Sequence, residues 1–271
     1  MRKSASIGIF DSGIGGLSVL REVAALLPHE RACYVADTAY CPYGLRPADE
    51  VRKRSQSIVR FLLDKSCKLV VVACNTATTA AIDELRRVFP DIPFVGMEPA
   101  VKPAAKQSKT RIVGVLATAG TLQSPLFKQS KARHAAGVKL HVVAGNGLVE
   151  LVEQGREDSP EALALLRTYL QPMLDDNVDE LVLGCTHYPF LTDGIEKITQ
   201  GRMVIVNPAP AVAAQVKRLL EQYNLLNDET TTQPFYEFFA TGSVDALAKL
   251  QKRHLPMLSG RYSHEKLRIK G

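Results

Sequence analysis

The feature that most constrains this chain is its rhythm, in which short apolar, β-branched runs alternate with longer helical patterns almost throughout. Ile7–Phe10, Ala32–Ala36, Leu69–Ala73, Pro93–Met97, Arg111–Leu116, Lys139–Val143, Glu180–Leu183, Val204–Val206 and Phe235–Ala240 read as strands. Between them Leu17–Leu27, Ala48–Asp64, Ala77–Phe89, Pro125–Ala136, Pro160–Leu174, Pro189–Thr199, Pro210–Tyr223 and Val244–Arg253 read as helices. Strands separated by helices must run mostly parallel, because a parallel pair needs a crossover long enough to hold a helix. The expected class is therefore α/β, each sheet flanked by helices, with ligands bound beyond the carboxyl ends of the strands.

The rhythm also repeats. Ile7-Gly8-Ile9-Phe10-Asp11-Ser12 resembles Val113-Gly114-Val115-Leu116-Ala117-Thr118, 106 residues later. Leu69-Val70-Val71-Val72-Ala73-Cys74 resembles Glu180-Leu181-Val182-Leu183-Gly184-Cys185, 111 residues later. Two half-units in the same order predict two pseudo-symmetric domains with a site in the cleft between them. The boundaries expected are residues 1–100 plus 211–271 for the first domain and 101–210 for the second, the last segment packing back on the first unit.

Composition narrows the class further. At 271 residues, 46% hydrophobic and 23% charged, the chain is long enough for one or two cores. No apolar run approaches the roughly 18 residues of a membrane helix, and Asp11 and the glycines interrupt the stretch a signal peptide would need. A soluble, cytoplasmic protein is expected. The net charge is +6, and residues 251–271 supply most of it: Lys252, Arg253, Arg261, Lys266, Arg268 and Lys270 stand against Glu265. A basic tail can touch nucleic acid. Without interleaved aromatics or a finger spacing, it reads instead as a solvated, frayed terminus.

Five cysteines, an odd number without CxxC spacing, argue against a disulfide framework. Cys33 and Cys67 lie in or beside strands and read as packed; Cys41 sits in a polar loop. Cys74 and Cys185 differ, because both end a strand at the start of an expected helix, where the positive helix end favours a thiolate. His187, two residues past Cys185, can exchange a proton with it. A cysteine protease has no use for a second thiol. Two thiols facing one carbon can invert it, one removing a proton and the other supplying one from behind. Main-chain N–H groups and a dry cleft would stabilise the carbanionic transition state.

The loops beyond the other strands fit a small polar ligand. Asp11-Ser12-Gly13-Ile14-Gly15-Gly16 is glycine-rich but is not GxGxxG. It reads as a cradle for a carboxylate beside a thiol, or as a structural tight turn. Ala36–Gly44 contains Tyr43 and Gly44, while Thr118 and Thr121 add hydroxyls. Cys74, Cys185 and His187 could bind zinc, but a metal would occupy the thiolates that proton transfer needs, so no metal is expected. The rival reading is a non-catalytic binding protein on this scaffold, which leaves the paired thiols without a task.

The set DSGIGGLSVL, ADTAYCPYG, VVACNTATTAA, LVEQG and VLGCTHYPFL resembles the aspartate and glutamate racemase family, from about Ile7 to Pro208. The DSG opening and the PYG loop favour its glutamate members over the aspartate ones. The resemblance implies an isomerase that interconverts L- and D-glutamate without a cofactor, for peptidoglycan synthesis. It implies Cys74 and Cys185 as the acid/base thiols, acting on D- and L-glutamate respectively. Asp11 would assist Cys74, and His187 and Glu153 would assist Cys185. Asp11, Ser12, Tyr43, Gly44, Asn75, Thr76, Thr118, Thr121, Thr186 and His187 would contact the substrate. A homodimer is implied, and in some members a cell-wall precursor that activates. The segment Gly145–Gly155 departs from the family's CPLFVPLVEEG pattern; aligning its end selects Glu153 rather than Glu150.

Overall fold

The computed structural model describes residues 2–98, 100–227, 234–258 and 261–269, so Lys270 of the basic tail lies outside them. Along the chain β1 (Ile7–Asp11), α1 (Leu17–Leu26), β2 (Ala32–Ala36), α2 (Ala48–Asp64), β3 (Leu69–Val72), α3 (Asn75–Val88) and β4 (Phe94–Gly96) come first. Next are α4 (Val101–Gln107), β5 (Ile112–Ala117), α5 (Ala119–Gln123), α6 (Pro125–His134), β6 (Lys139–Ala144) and α7 (Leu148–Glu153). Then α8 (Pro160–Asp175), β7 (Glu180–Gly184), α9 (Thr192–Thr199) and β8 (Val204–Val206) follow. The chain closes with α10 (Ala209–Gln222), β9 (Phe235–Ala240), α11 (Val244–His254) and β10 (Arg261–Lys266). Two compact units result, Met1–Met97 with Ala209–Gly271, and Glu98–Pro208.

The first unit holds a six-stranded sheet in the order β10-β9-β2-β1-β3-β4, the second a four-stranded sheet in the order β6-β5-β7-β8. Every pairing is parallel. The order β2-β1-β3-β4 maps onto β6-β5-β7-β8 strand for strand, so the sequence repeat is also a topological one. Parallel strands are covered on both faces, which is why β3 is Leu-Val-Val-Val with every residue buried. The covering helices bury one stripe each, as α2 does with Val51, Ser55, Ile58 and Leu62. Among the described residues, no helix is long and apolar enough to cross a membrane.

Three α-helices escape the sequence pattern: α4, α5 and α7, of 7, 5 and 6 residues. Each is too short to establish a 3.6-residue period. The expected helix Pro189–Thr199 divides into a 3₁₀ turn, Tyr188–Leu191, and α9. The expected frayed terminus is instead β10, paired along its length with β9 from Arg261 opposite Phe235 to Lys266 opposite Ala240. Its charge fits an edge strand, where lysine and glutamate discourage further pairing. His264 stacks on Phe238 with ring centroids 5.0 Å apart, and the following Leu267 is buried.

Candidate active site

In the first unit the site residues gather at the carboxyl edge of the sheet. β1 runs out through Asp11, which is fully buried, into the glycine-rich loop. Asp11 Oδ2 accepts the Gly16 N–H at 2.8 Å, and Tyr34 Oη donates to the Gly13 carbonyl at 2.7 Å. A Cβ on Gly16 would lie 2.8 Å from the Asp11 Cβ and 2.9 Å from Tyr34 Oη, so only glycine lets the loop close on the carboxylate. The loop is thus a tight turn built around Asp11.

The register of β1 on β3 matches Phe10 with Val72 and, continued, brings Ser12 beside Cys74. The Cys74 thiol donates to Ser12 Oγ at 3.8 Å. Cys74 is the N-cap of α3, and its Sγ accepts the Ala77 N–H at 3.4 Å. A sulfur receiving a helix N–H is placed where negative charge is stabilised. The next residue, Asn75, is 3% exposed, yet neither Oδ1 nor Nδ2 has a hydrogen-bond partner among the described residues. An unsatisfied buried amide costs about 1–3 kcal/mol, which a polar ligand at this helix end would recover. Thr76 is buried beside it.

Tyr43 and Gly44 sit in a 3₁₀ turn, Tyr43–Leu45, after a cis Cys41–Pro42 bond. Tyr43 is buried and donates its hydroxyl to Asp37 Oδ2 at 2.5 Å. Burial first, then the Asp37 charge, push its phenol well above the ordinary tyrosine value.

The second unit repeats the plan with different chemistry. β5 on β7 matches Ala117 with Gly184 and, continued by one residue, brings Thr118 level with Cys185. A Cβ on Gly184 would lie 2.6 Å from the Ala117 Cβ, so the glycine before this cysteine serves strand packing. Thr118 caps α5, and its Oγ1 is 2.9 Å from Thr121 Oγ1. Thr186 is buried.

The helical run after Cys185 opens differently from α3. A 3₁₀ turn, Tyr188–Leu191, follows the cysteine and runs directly into α9 at Thr192. The partner here is His187, whose Nδ1 is 3.7 Å from Cys185 Sγ and whose Nε2 is 2.6 Å from Glu153 Oε1. His187 is 2% exposed. The geometry thus brings Glu153, the last residue of α7, to the histidine, whereas Glu150 lies in the first turn of that helix.

Sequence reasoning missed Tyr188. Its hydroxyl donates to the Gly145 carbonyl at 3.0 Å, just ahead of α7, while Glu153 holds the far end of the same helix. Burial first, then Cys185, drive this phenol well up. Its only signal was a place inside the GCTHYP segment. Of the other thiols, Cys33 and Cys67 are buried and Cys41 is partly exposed, and none of the three is in a disulfide. His141, which showed no partner in sequence, has Asp176 Oδ2 2.7 Å from its Nδ1.

Comparison with known proteins places the chain in a family. Residues 8–216 match the Asp/Glu/Hydantoin racemase family. The glutamate racemase of Roseiflexus sp. (strain RS-1) is 47% identical over 247 residues, 91% of each chain. A glutamate racemase isoform of Bacillus anthracis superposes with a TM-score of 0.87 at 33% identity, covering 99% of this chain and 100% of its own. The Escherichia coli glutamate racemase, solved with L-glutamate and the activator UDP-MurNAc-ala, gives 0.84 at 32% identity, covering 98% and 100%. With a thiol ending the third strand of each repeated sheet, and relatives of this closeness along its length, the chain belongs to the Asp/Glu/hydantoin racemase family.

Proposed function

We propose that the protein is a glutamate racemase that interconverts L- and D-glutamate by proton transfer between two thiols. The observation that carries this reading is the equivalence of Cys74 and Cys185, each following the third strand of the same four-strand order. One thiolate takes the α-proton and the other thiol delivers one to the opposite face of the carbon. The first thiol draws on the N–H of α3, the second on the His187–Glu153 pair, with His187 passing protons to and from Cys185. Asp11 shapes the loop around the first thiol. Asn75, Thr76 and the Tyr43-Gly44 turn supply polar contacts in one unit, Thr118, Thr121 and Thr186 in the other.

In this reading the enzyme is cytoplasmic, supplies D-glutamate for peptidoglycan and works as a homodimer, the last read by light scattering. The test is polarimetry of the purified protein with L-glutamate and a chelator present. Decay of rotation to zero, with solvent deuterium entering the α-carbon, is the expected result. Stable rotation, both alone and with UDP-N-acetylmuramoyl-L-alanine added, overturns the reading.

A further inference from the structure

Arg54 lies on the buried stripe of α2, between Val51 and Ile58, and is only 5% exposed. A guanidinium in that position requires compensation. Its Nε donates to Asp37 Oδ2 at 2.9 Å and a terminal nitrogen to Oδ1 at 2.6 Å, a two-point fork on a fully buried carboxylate. Its face lies on the Tyr40 ring, 3.7 Å from the centroid. Two further donors reach the same carboxylate: Tyr43 Oη at 2.5 Å and Thr241 Oγ1 at 2.7 Å. Asp37 therefore joins α2, the end of β9 and the turn that carries Tyr43 and Gly44. The turn has a second tie through Arg46, which donates to the Tyr40 carbonyl and to Glu50.

We infer that Arg54 is a positioning residue, which through Asp37 fixes the Tyr43-Gly44 turn for ligand and cancels the Asp37 charge near Cys74. This inference rests on the racemase reading. Tyr43 belongs to the same buried cluster as Cys74, and the Cys74 charge is among those acting on the Tyr43 phenol. Among the described residues, the groups facing Asp37 include Arg54, Tyr43 and Thr241; those facing Cys74 include Ser12 and Tyr43. Lysine cannot replace the arginine, because an ammonium offers neither the planar fork nor the stacking face.

The experiment compares wild type with Arg54→Lys, Arg54→Met and the double variant Arg54→Met, Asp37→Asn. Glutamate kinetics are measured in both directions across pH, with D-glutamate binding by calorimetry. Arg54→Lys keeps the charge and loosens the turn, so KM and Kd rise about tenfold while kcat stays within about threefold. Arg54→Met strands the carboxylate, so the acid limb of kcat/KM also moves up by about one pH unit. The double variant removes the stranded charge and returns that limb to its wild-type position, while KM stays raised. Wild-type KM, Kd and pH profile in Arg54→Lys and in any folded Arg54→Met overturn the inference. A raised KM whose limb the double variant does not restore removes its electrostatic half. If wild type binds D-glutamate without racemising it, the racemase reading falls, and Kd in Arg54→Lys still decides the role of Arg54. If wild type neither binds nor racemises glutamate, both fall.

Discussion

Glu153 Oε1 lies 2.6 Å from His187 Nε2, and the other nitrogen of that imidazole faces the Cys185 sulfur at 3.7 Å. Beside Cys74 the sulfur receives a helix N–H and meets the Ser12 hydroxyl. The two units share a topology and differ in how each supports its thiol. Each difference has a measurable consequence.

Replacing Glu153 with Gln keeps the shape of the contact and removes the carboxylate that orients the imidazole. Turnover should fall by about 10²-fold, the usual worth of a positioned proton carrier, with little change in melting temperature. Glu150→Gln should leave turnover within about threefold, because Glu150 sits in the first turn of α7 and it is Glu153 that meets His187. Polarimetry of the two variants side by side decides the assignment, and equal losses would refute it.

Either Cys74→Ser or Cys185→Ser should lower racemisation by at least about 10³-fold, since a hydroxyl is a far weaker acid than a thiol at neutral pH. Both proteins should still fold, the substitution being nearly isosteric in sites 5% and 6% exposed. Wild-type turnover in either single variant would refute a mechanism that needs two thiols.

Gly184→Ala should destabilise by about 1–3 kcal/mol, the usual cost of forcing a methyl into a filled site. The added Cβ would lie 2.6 Å from the Ala117 Cβ on the neighbouring strand. The pair Gly184→Ala with Ala117→Gly exchanges the two methyl sites and should recover about half of that loss by denaturant unfolding. Additive effects in the double-mutant cycle would show that this contact is not the cause.

Lys68 and Glu30 form an ion pair at 2.6 Å, with side chains 0% and 3% exposed. Burial raises the Glu30 pKa despite the favourable contact with Lys68, and burial lowers that of Lys68. A carboxyl whose folded pKa is raised stabilises the fold below its unfolded value and loses that contribution as pH rises through the folded one. Relative to Glu30→Gln, the wild type should therefore lose stability from about pH 4.5 upward until Glu30 has titrated. Unfolding free energies of both proteins from pH 4 to 7 measure this, and a rising difference would refute it. Lys68→Met should cost about 3–5 kcal/mol, because it leaves a buried carboxylate without its cation.

Periodicity and residue chemistry along the chain were enough to determine that it alternates strands with helices, that it repeats itself, and that Cys74 and Cys185 end equivalent strands. Those features are written by neighbours a few residues apart, through the periods of 2 and 3.6 that pleat and helix impose. Tertiary structure alone decided the rest. Strand register set Ser12 beside Cys74. A contact across 34 residues selected Glu153 for His187, and one across 204 residues joined Thr241 to Asp37. Pairing with β9 turned a basic terminus into a strand. A 3₁₀ turn, short enough to leave no period, follows Cys185 where α3 follows Cys74. Such contacts depend on which distant segments pack together, and an arginine such as Arg54 reads as surface charge until its helix closes over a buried carboxylate.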